Sequence, residues 1–160
     1  MKRMKKAAAS AVALIAMTVG TAVVGPAAPA HATAAECTGG ANGFKDVPNQ
    51  RVYGEQTVRS VGWWSPRGYV EISLEKGDPY GPVMGWARLS GATDQSMQVW
   101  MDWTKDGGKS WTQCGPFSPT TIWVGEPVTT PAQTVSSELA YRFRACGSFW
   151  PGNVTCTDWW

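Results

Sequence analysis

Histidine is almost absent from this chain. Its 160 residues hold one, His31, and that one falls in a segment expected to be cut away. Lys2, Arg3, Lys5 and Lys6 make a basic start, Ala7 to Val24 is an apolar run without charge, and Ala30-His31-Ala32 is an A-x-A cleavage site. Pro26 and Pro29 break the run as a membrane anchor, and Ala35-Glu36 before Cys37 lacks a lipoprotein box. Residues 1–32 therefore read as a signal peptide, and a chain starting at Thr33 has no histidine. That excludes a Ser-His or Cys-His nucleophile and a His-ligated zinc. Basic residues are scarce as well. Four of the 14 Lys and Arg lie in the leader, which leaves ten against 12 Asp and Glu, so the formal charge of +2 becomes about −2. Without a basic stripe to neutralise phosphates, nucleic acid is not an expected partner. No membrane contact is expected once the leader is gone. Helical periodicity is missing from residues 33–160.

What remains is strand and turn. Tyr69 to Lys76 alternates, with Val70, Ile72 and Leu74 on one face and Glu71, Ser73 and Glu75 on the other. Ser65-Pro66-Arg67-Gly68 is a turn. Met97 to Thr104 alternates again, with Met97, Val99, Met101 and Trp103 on the apolar face, and Lys105-Asp106-Gly107-Gly108-Lys109 is a hairpin turn before Trp111. Residues 33–50 read as coil, and Pro127 and Pro131 flank an edge piece or loop. Some eight short strands predict an all-β protein, an antiparallel β-sandwich or small barrel-like domain over residues 33–160.

Cys37, Cys114, Cys146 and Cys156 in an exported chain imply two disulfides, with three possible connectivities. The C-terminal hairpin favours one of them. Setting Cys146 opposite Cys156 also sets Arg144 against Asp158, Arg142 against Trp160 and Phe143 against Trp159, which adds an ion pair, a cation–π contact and an aromatic pair. Cys37 is then left for Cys114.

Two resemblances bear on function. Thr104-Lys105-Asp106-Gly107-Gly108-Lys109-Ser110-Trp111 resembles the Asp-box of sialidases and many other extracellular proteins. There the box is a folding device away from the catalytic centre, which implies a structural role for Thr104, Asp106, Gly108 and Trp111. The ending Arg144-Ala145-Cys146-Gly147 … Cys156-Thr157-Asp158-Trp159-Trp160 is similar to small secreted actinobacterial proteins of uncharacterised function and to tails on some secreted glycoside hydrolases. It implies export and a carbohydrate-rich setting, and it carries over no catalytic residue.

Ten tryptophans, all beyond the leader, ask for an explanation. Strand parity puts Trp103, Trp111, Trp159 and one of Trp63 and Trp64 on core faces. It puts Trp86, Trp100 and Trp123 on the opposite faces, and Trp150 at the tip of Phe149-Trp150-Pro151-Gly152. Either a second layer covers these indoles, or they form a platform that stacks on sugar rings. The carbohydrate-binding candidates are Trp63, Trp64, Tyr80, Trp86, Trp100, Trp123 and Trp150. Glu71 and Glu75 stand roughly 13 Å apart by strand rise, too far for a retaining pair, and read as a solvated face. Asp102 and Asp106 lack calcium-loop spacing, so neither a metal nor a cofactor is expected. The sequence thus predicts a secreted, monomeric, non-catalytic module for extracellular polysaccharide or cell-wall glycan. The alternative is a protein-interaction factor, such as a hydrolase inhibitor or toxin-like effector, acting on an extracellular protein.

Overall fold

A computed structural model of the chain describes residues 30–121, 125–149 and 153–160. Among these, β1 (Ala30–Ala32), β6 (Thr112–Phe117), β5 (Gln98–Thr104), β9 (Arg142–Ser148) and β10 (Val154–Cys156) form one sheet in that order. The other holds β2 (Gln56–Ser65), β3 (Gly68–Gly77), β4 (Met84–Gly91) and β7 (Val128–Thr129), with β8 (Gln133–Thr134) also on the β4 edge. The apolar rows read from the sequence meet between the sheets. Val70, Ile72 and Leu74 of β3 and Leu89 of β4 are fully buried with Val99 and Met101 of β5 and Phe143 and Ala145 of β9. Taking that surface out of water is the main drive for folding. A side chain at Gly147 would overlap Ile72 Cδ1 and the Gln98 carbonyl, so the bare backbone there sets how closely the sheets approach. The all-β sandwich is as expected, except that β1 runs parallel to β6, with Ala32 beside Cys114.

β1 is built from the expected cleavage motif, and residues 1–29 lie outside the described residues. Thr33 caps a short helix, α1 (Ala34–Thr38), where coil was expected. Its hydroxyl accepts the Glu36 N–H at 3.3 Å and the Glu36 carboxylate accepts the Thr33 N–H at 2.8 Å, a reciprocal cap already visible in Thr33-x-x-Glu36. Cys37 on α1 is bonded to Cys114 on β6, and Cys146 to Cys156 across β9 and β10, the expected connectivity. Two disulfides fit an oxidising, extracellular-type environment. Among the described residues no helix is long and apolar enough to cross a membrane.

The outer face of the second sheet departs from expectation. Ser73 and Glu75 are buried rather than solvated, because residues 44–55 pass over them. Lys45 pairs with Ala132, and the Asn49 side chain accepts the Thr129 N–H. Val47 and Val52 then close a second small core with Met84, Trp86 and Ala132. Beneath this cover Arg88 meets Glu55 at 3.2 Å, both side chains buried, and Glu75 accepts the Thr57 hydroxyl at 2.9 Å. Trp86, a candidate platform residue, is 1% exposed. Its Nε1 has no hydrogen-bond partner among the described residues.

The C-terminal hairpin keeps the expected register only as far as its disulfide. Cys156 opposes Cys146 and Thr157 N–H reaches the Ala145 carbonyl, but the Ala145 N–H is taken by the Thr157 hydroxyl at 3.1 Å. That substitution of side chain for backbone lets the strand slip by one residue. Phe143 then exchanges both backbone hydrogen bonds with Trp160 rather than lying opposite Trp159. Asp158 is left exposed, and Arg144 pairs instead with Asp102 of β5, at 2.7 and 2.9 Å. Arg142 donates to the Leu139 carbonyl, and among the described residues it forms no cation–π pair with Trp160, whose ring has Lys76 beside it instead.

Replacing Trp86 with Ala should lower the unfolding free energy by about 3–5 kcal/mol in urea titrations, the cost of a large core cavity. The same change at an exposed indole should stay within about 0.5 kcal/mol. Equal losses at Trp86 and Trp64 would contradict the covered face.

Candidate functional site

The hairpin between β5 and β6 is held by its own polar groups. Asp106 accepts the Ser110 N–H at 2.9 Å and the Ser110 hydroxyl at 2.6 Å. The Thr104 hydroxyl accepts the Gly108 N–H at 3.0 Å and lies 2.6 Å from the Ser110 carbonyl. The Ser110 hydroxyl first, then its amide and the Thr104 hydroxyl, hold the Asp106 carboxyl well below the usual carboxylate range. Gly107 and Gly108 sit at φ of 75° and 95°, where L side chains are disfavoured. Every one of these bonds is internal to the turn, so its groups are committed to holding the loop.

Trp111 and Trp159 stand outside the core where both were expected. They meet edge to face at 6.4 Å, with the Arg144 guanidinium 5.1 and 4.5 Å from their rings. Asp102 lies beneath, its side chain 2% exposed. Burial pushes its carboxyl up while Arg144 opposes the shift. Trp103 does enter the core, edge-on to Phe44 at 6.0 Å.

Two exposed aromatic rings come together on the β2–β3 hairpin. Its turn at Pro66-Arg67 sets Trp64 directly opposite Tyr69 and Trp63 opposite Val70. Val70 belongs to the core, so Trp63 turns inward, half-buried against Phe149, and Trp64 and Tyr69 turn outward. Trp64 is 79% exposed and Tyr69 44%, their rings 5.5 Å apart and inclined at 61°. A Cβ at Gly62 would overlap the Tyr69 ring. Gly62 is thus the seat on which the tyrosine lies, and the tyrosine braces the indole. The turn is pinned by Ser65, whose hydroxyl donates to the Gly68 carbonyl at 2.8 Å and accepts the Arg67 N–H.

A cleft of about 440 Å³ adjoins this turn, lined by Ser65, Pro66, Arg67 and the loop from Asp94 to Met97. Arg67 pairs with Asp94 at 3.3 Å across it. The Ser96 hydroxyl, its amide and Arg67 together draw the Asp94 carboxyl below its ordinary value against the effect of burial. The cleft therefore offers the Arg67–Asp94 pair and the Gln95 side-chain carbonyl, while the Gln95 Nε2 donates to the Thr120 carbonyl at 3.0 Å. Trp64 and Tyr69 share the hairpin but do not line the cleft.

The other expected aromatics are not brought to this place. Tyr80 is exposed, as expected, and its hydroxyl donates to the Asp46 carbonyl. It follows the far end of β3, about 27 Å from Tyr69 by strand rise. Trp100 is half-buried on the outer face of the first sheet, over Gly115, and Trp86 is interior. Trp123 and Trp150 lie outside the described residues. The sequence reading missed Tyr69, although the turn at Ser65 to Gly68 already implied its pairing with Trp64. Each of four surface clefts is lined by at most one carboxylate. Among the described residues no group of three or more His, Cys, Asp or Glu could hold a metal ion. No protein-family model, curated protein or solved structure matches the chain.

Thr104→Val keeps the shape of the side chain but strips two amides and a carbonyl of their partner, and should cost about 1–3 kcal/mol. Asp106, with its lowered folded value, contributes stability that is full above its unfolded value of about 4 and is lost as pH falls through the folded one. In melting curves taken from pH 5 downwards, Asp106→Asn should therefore flatten the acid limb. An unchanged limb would show that Asp106 is not held in this way.

Proposed function

We propose that the protein is an exported, non-catalytic module that binds extracellular polysaccharide or cell-wall glycan, with Trp64 and Tyr69 as the contact surface. The observation that carries this reading is the indole at 79% exposure, braced by a tyrosine seated on a glycine. Exposing so much aromatic surface is unfavourable in water unless a partner covers it. A flat ring fixed before binding loses little entropy when it stacks on the apolar face of a sugar. The cleft at the same turn adds polar groups, since the remaining donors of Arg67 and the Gln95 side-chain carbonyl can bond sugar hydroxyls. Among the described residues the exposed aromatics do not form a row, which favours a short contact of one or two sugar units over a long crystalline face. The leader and the two disulfides support export, with Thr33 proposed as the first residue of the exported chain.

Pull-downs of the exported protein on insoluble chitin, cellulose, xylan and peptidoglycan, with tryptophan fluorescence followed in parallel, test the reading. Retention on at least one polymer should weaken by roughly tenfold or more, about 1.4 kcal/mol, on Trp64→Ala or Tyr69→Ala, with the melting temperature unmoved. Retention by none of the four would exclude these common polymers and turn attention to a protein target. N-terminal sequencing of the secreted form should begin at Thr33; a start elsewhere would displace the proposed cleavage site.

A further inference from the structure

Beyond the Trp63–Phe149 contact, the edge strand β2 and the segment that follows β10 leave a groove beside β9. After the irregularity at Val58, the β2 residues opposite inward-facing Leu74, Ile72 and Val70 are Arg59, Val61 and Trp63. An arginine thus occupies a core-facing position at the mouth of the sandwich. Opposite it, the slip at Thr157 delivers Trp160, which packs on Phe143 at 6.3 Å. Between them lies a groove of about 330 Å³, closed at one end by the loop from Val135 to Leu139 and lined also by Tyr141 and Arg142.

The charges around this groove are not balanced. Arg59 and Arg142 line it, and the Lys76 ammonium lies 5.7 Å from the Trp160 ring. The three ion pairs formed among the described residues use Arg67, Arg88 and Arg144. Arg59 and Arg142 spend single hydrogen bonds on the Val58 and Leu139 carbonyls, which leaves guanidinium donors available. Glu138 is the one carboxylate in the lining, and no cation among the described residues pairs with it. Two arginines and one side-chain carboxylate in the lining, with Lys76 beside the indole, suit an anion carried on a flat, partly apolar body.

We infer that this groove is a second binding site, distinct from the Trp64 platform, for an acidic polysaccharide. The sugar ring lies over Trp160 and Tyr141, and its carboxylate or phosphodiester takes the free donors of Arg59 and Arg142. Guanidinium groups bind both anions through paired N–H donors, so carboxylate and phosphate are two sources of one chemistry. The choice of sugar rests on the glycan reading above, whereas the anion site rests only on the groove.

Titration of the exported protein with polygalacturonate, with poly(glycerol phosphate) teichoic acid and with poly-L-glutamate, followed by tryptophan fluorescence, tests this. Binding to either of the first two, weakened by added salt, is the expected result, and whichever binds identifies the anion. Arg59→Gln with Arg142→Gln should lower that affinity roughly tenfold or more without moving the melting temperature, while Trp64→Ala leaves it intact. A Trp64→Ala variant that loses neutral-polymer retention but keeps polyanion binding separates the two sites. Failure of both acidic glycans at low salt, or no loss in the double variant, would overturn the site. Equal affinity for poly-L-glutamate would overturn the sugar assignment.

Discussion

The ion pair between Arg144 and Asp102 organises the first sheet. It crosses from β9 to β5 at 2.7 Å and lies on the outer face. Burying a carboxylate there raises the cost of its charge, which only a well-placed cation offsets. Arg144 meets that need at Oδ2 alone, leaving Oδ1 without a hydrogen-bond partner among the described residues, and then serves as the filling between Trp111 and Trp159. One guanidinium thus ties together two strands, the β5–β6 hairpin and the C-terminal segment. Removing either charged partner would strand the other, a loss on the order of 3–5 kcal/mol. The C-terminal slip is the complement of this arrangement. Were Trp159 opposite Phe143 inside, Trp160 would stand outside and Arg144 would lose one wall of its seat.

The second sheet reaches a similar end by different means. Its outer face carries Glu75 and Arg88 as well as Trp86, and residues 44–55 cover all three. The covering segment is itself polar and glycine-containing, so it stays in place through specific bonds: Lys45 to Ala132, Asn49 to Thr129 and Glu55 to Arg88. α1 and its disulfide to β6 anchor the start of that segment. With both outer faces largely occupied, the β2–β3 hairpin tip and the seam beside β2 are left as places where aromatic and charged groups meet solvent together. That is why the two proposed contact regions share one strand.

Much of this was legible from local pattern. The alternation in Tyr69 to Lys76 and in Met97 to Thr104, the turn residues at Ser65 to Gly68 and Lys105 to Lys109, and the cysteine pairing through the C-terminal register all rest on short-range sterics and a period of two. The cap at Thr33-x-x-Glu36 lies in a stretch that reads as coil for want of helical periodicity. The turn at Pro66-Arg67 implies a Trp64–Tyr69 pair that alternation alone does not mark as exposed. Alternation also tells which residues share a face. It does not tell whether a face is wet, because that depends on what another part of the chain lays over it. Ser73, Glu75 and Trp86 read as outward, and outward they are, yet a segment some thirty residues earlier in sequence takes them out of water.

The sequence by itself determined an all-β chain with two disulfides, its main strands and its tight turns, because each follows from neighbours a few residues apart. Only the tertiary structure decided which tryptophans are free. A single hydroxyl at Thr157 took the place of a backbone carbonyl and exchanged the roles of Trp159 and Trp160. Gly62 mattered for the ring it admits rather than for a turn. Arg59 came to an open seam because its strand lies at the edge of a sheet. Each of these depends on contacts between segments far apart in the chain, where hydrogen-bond competition and close packing, not local propensity, select the outcome.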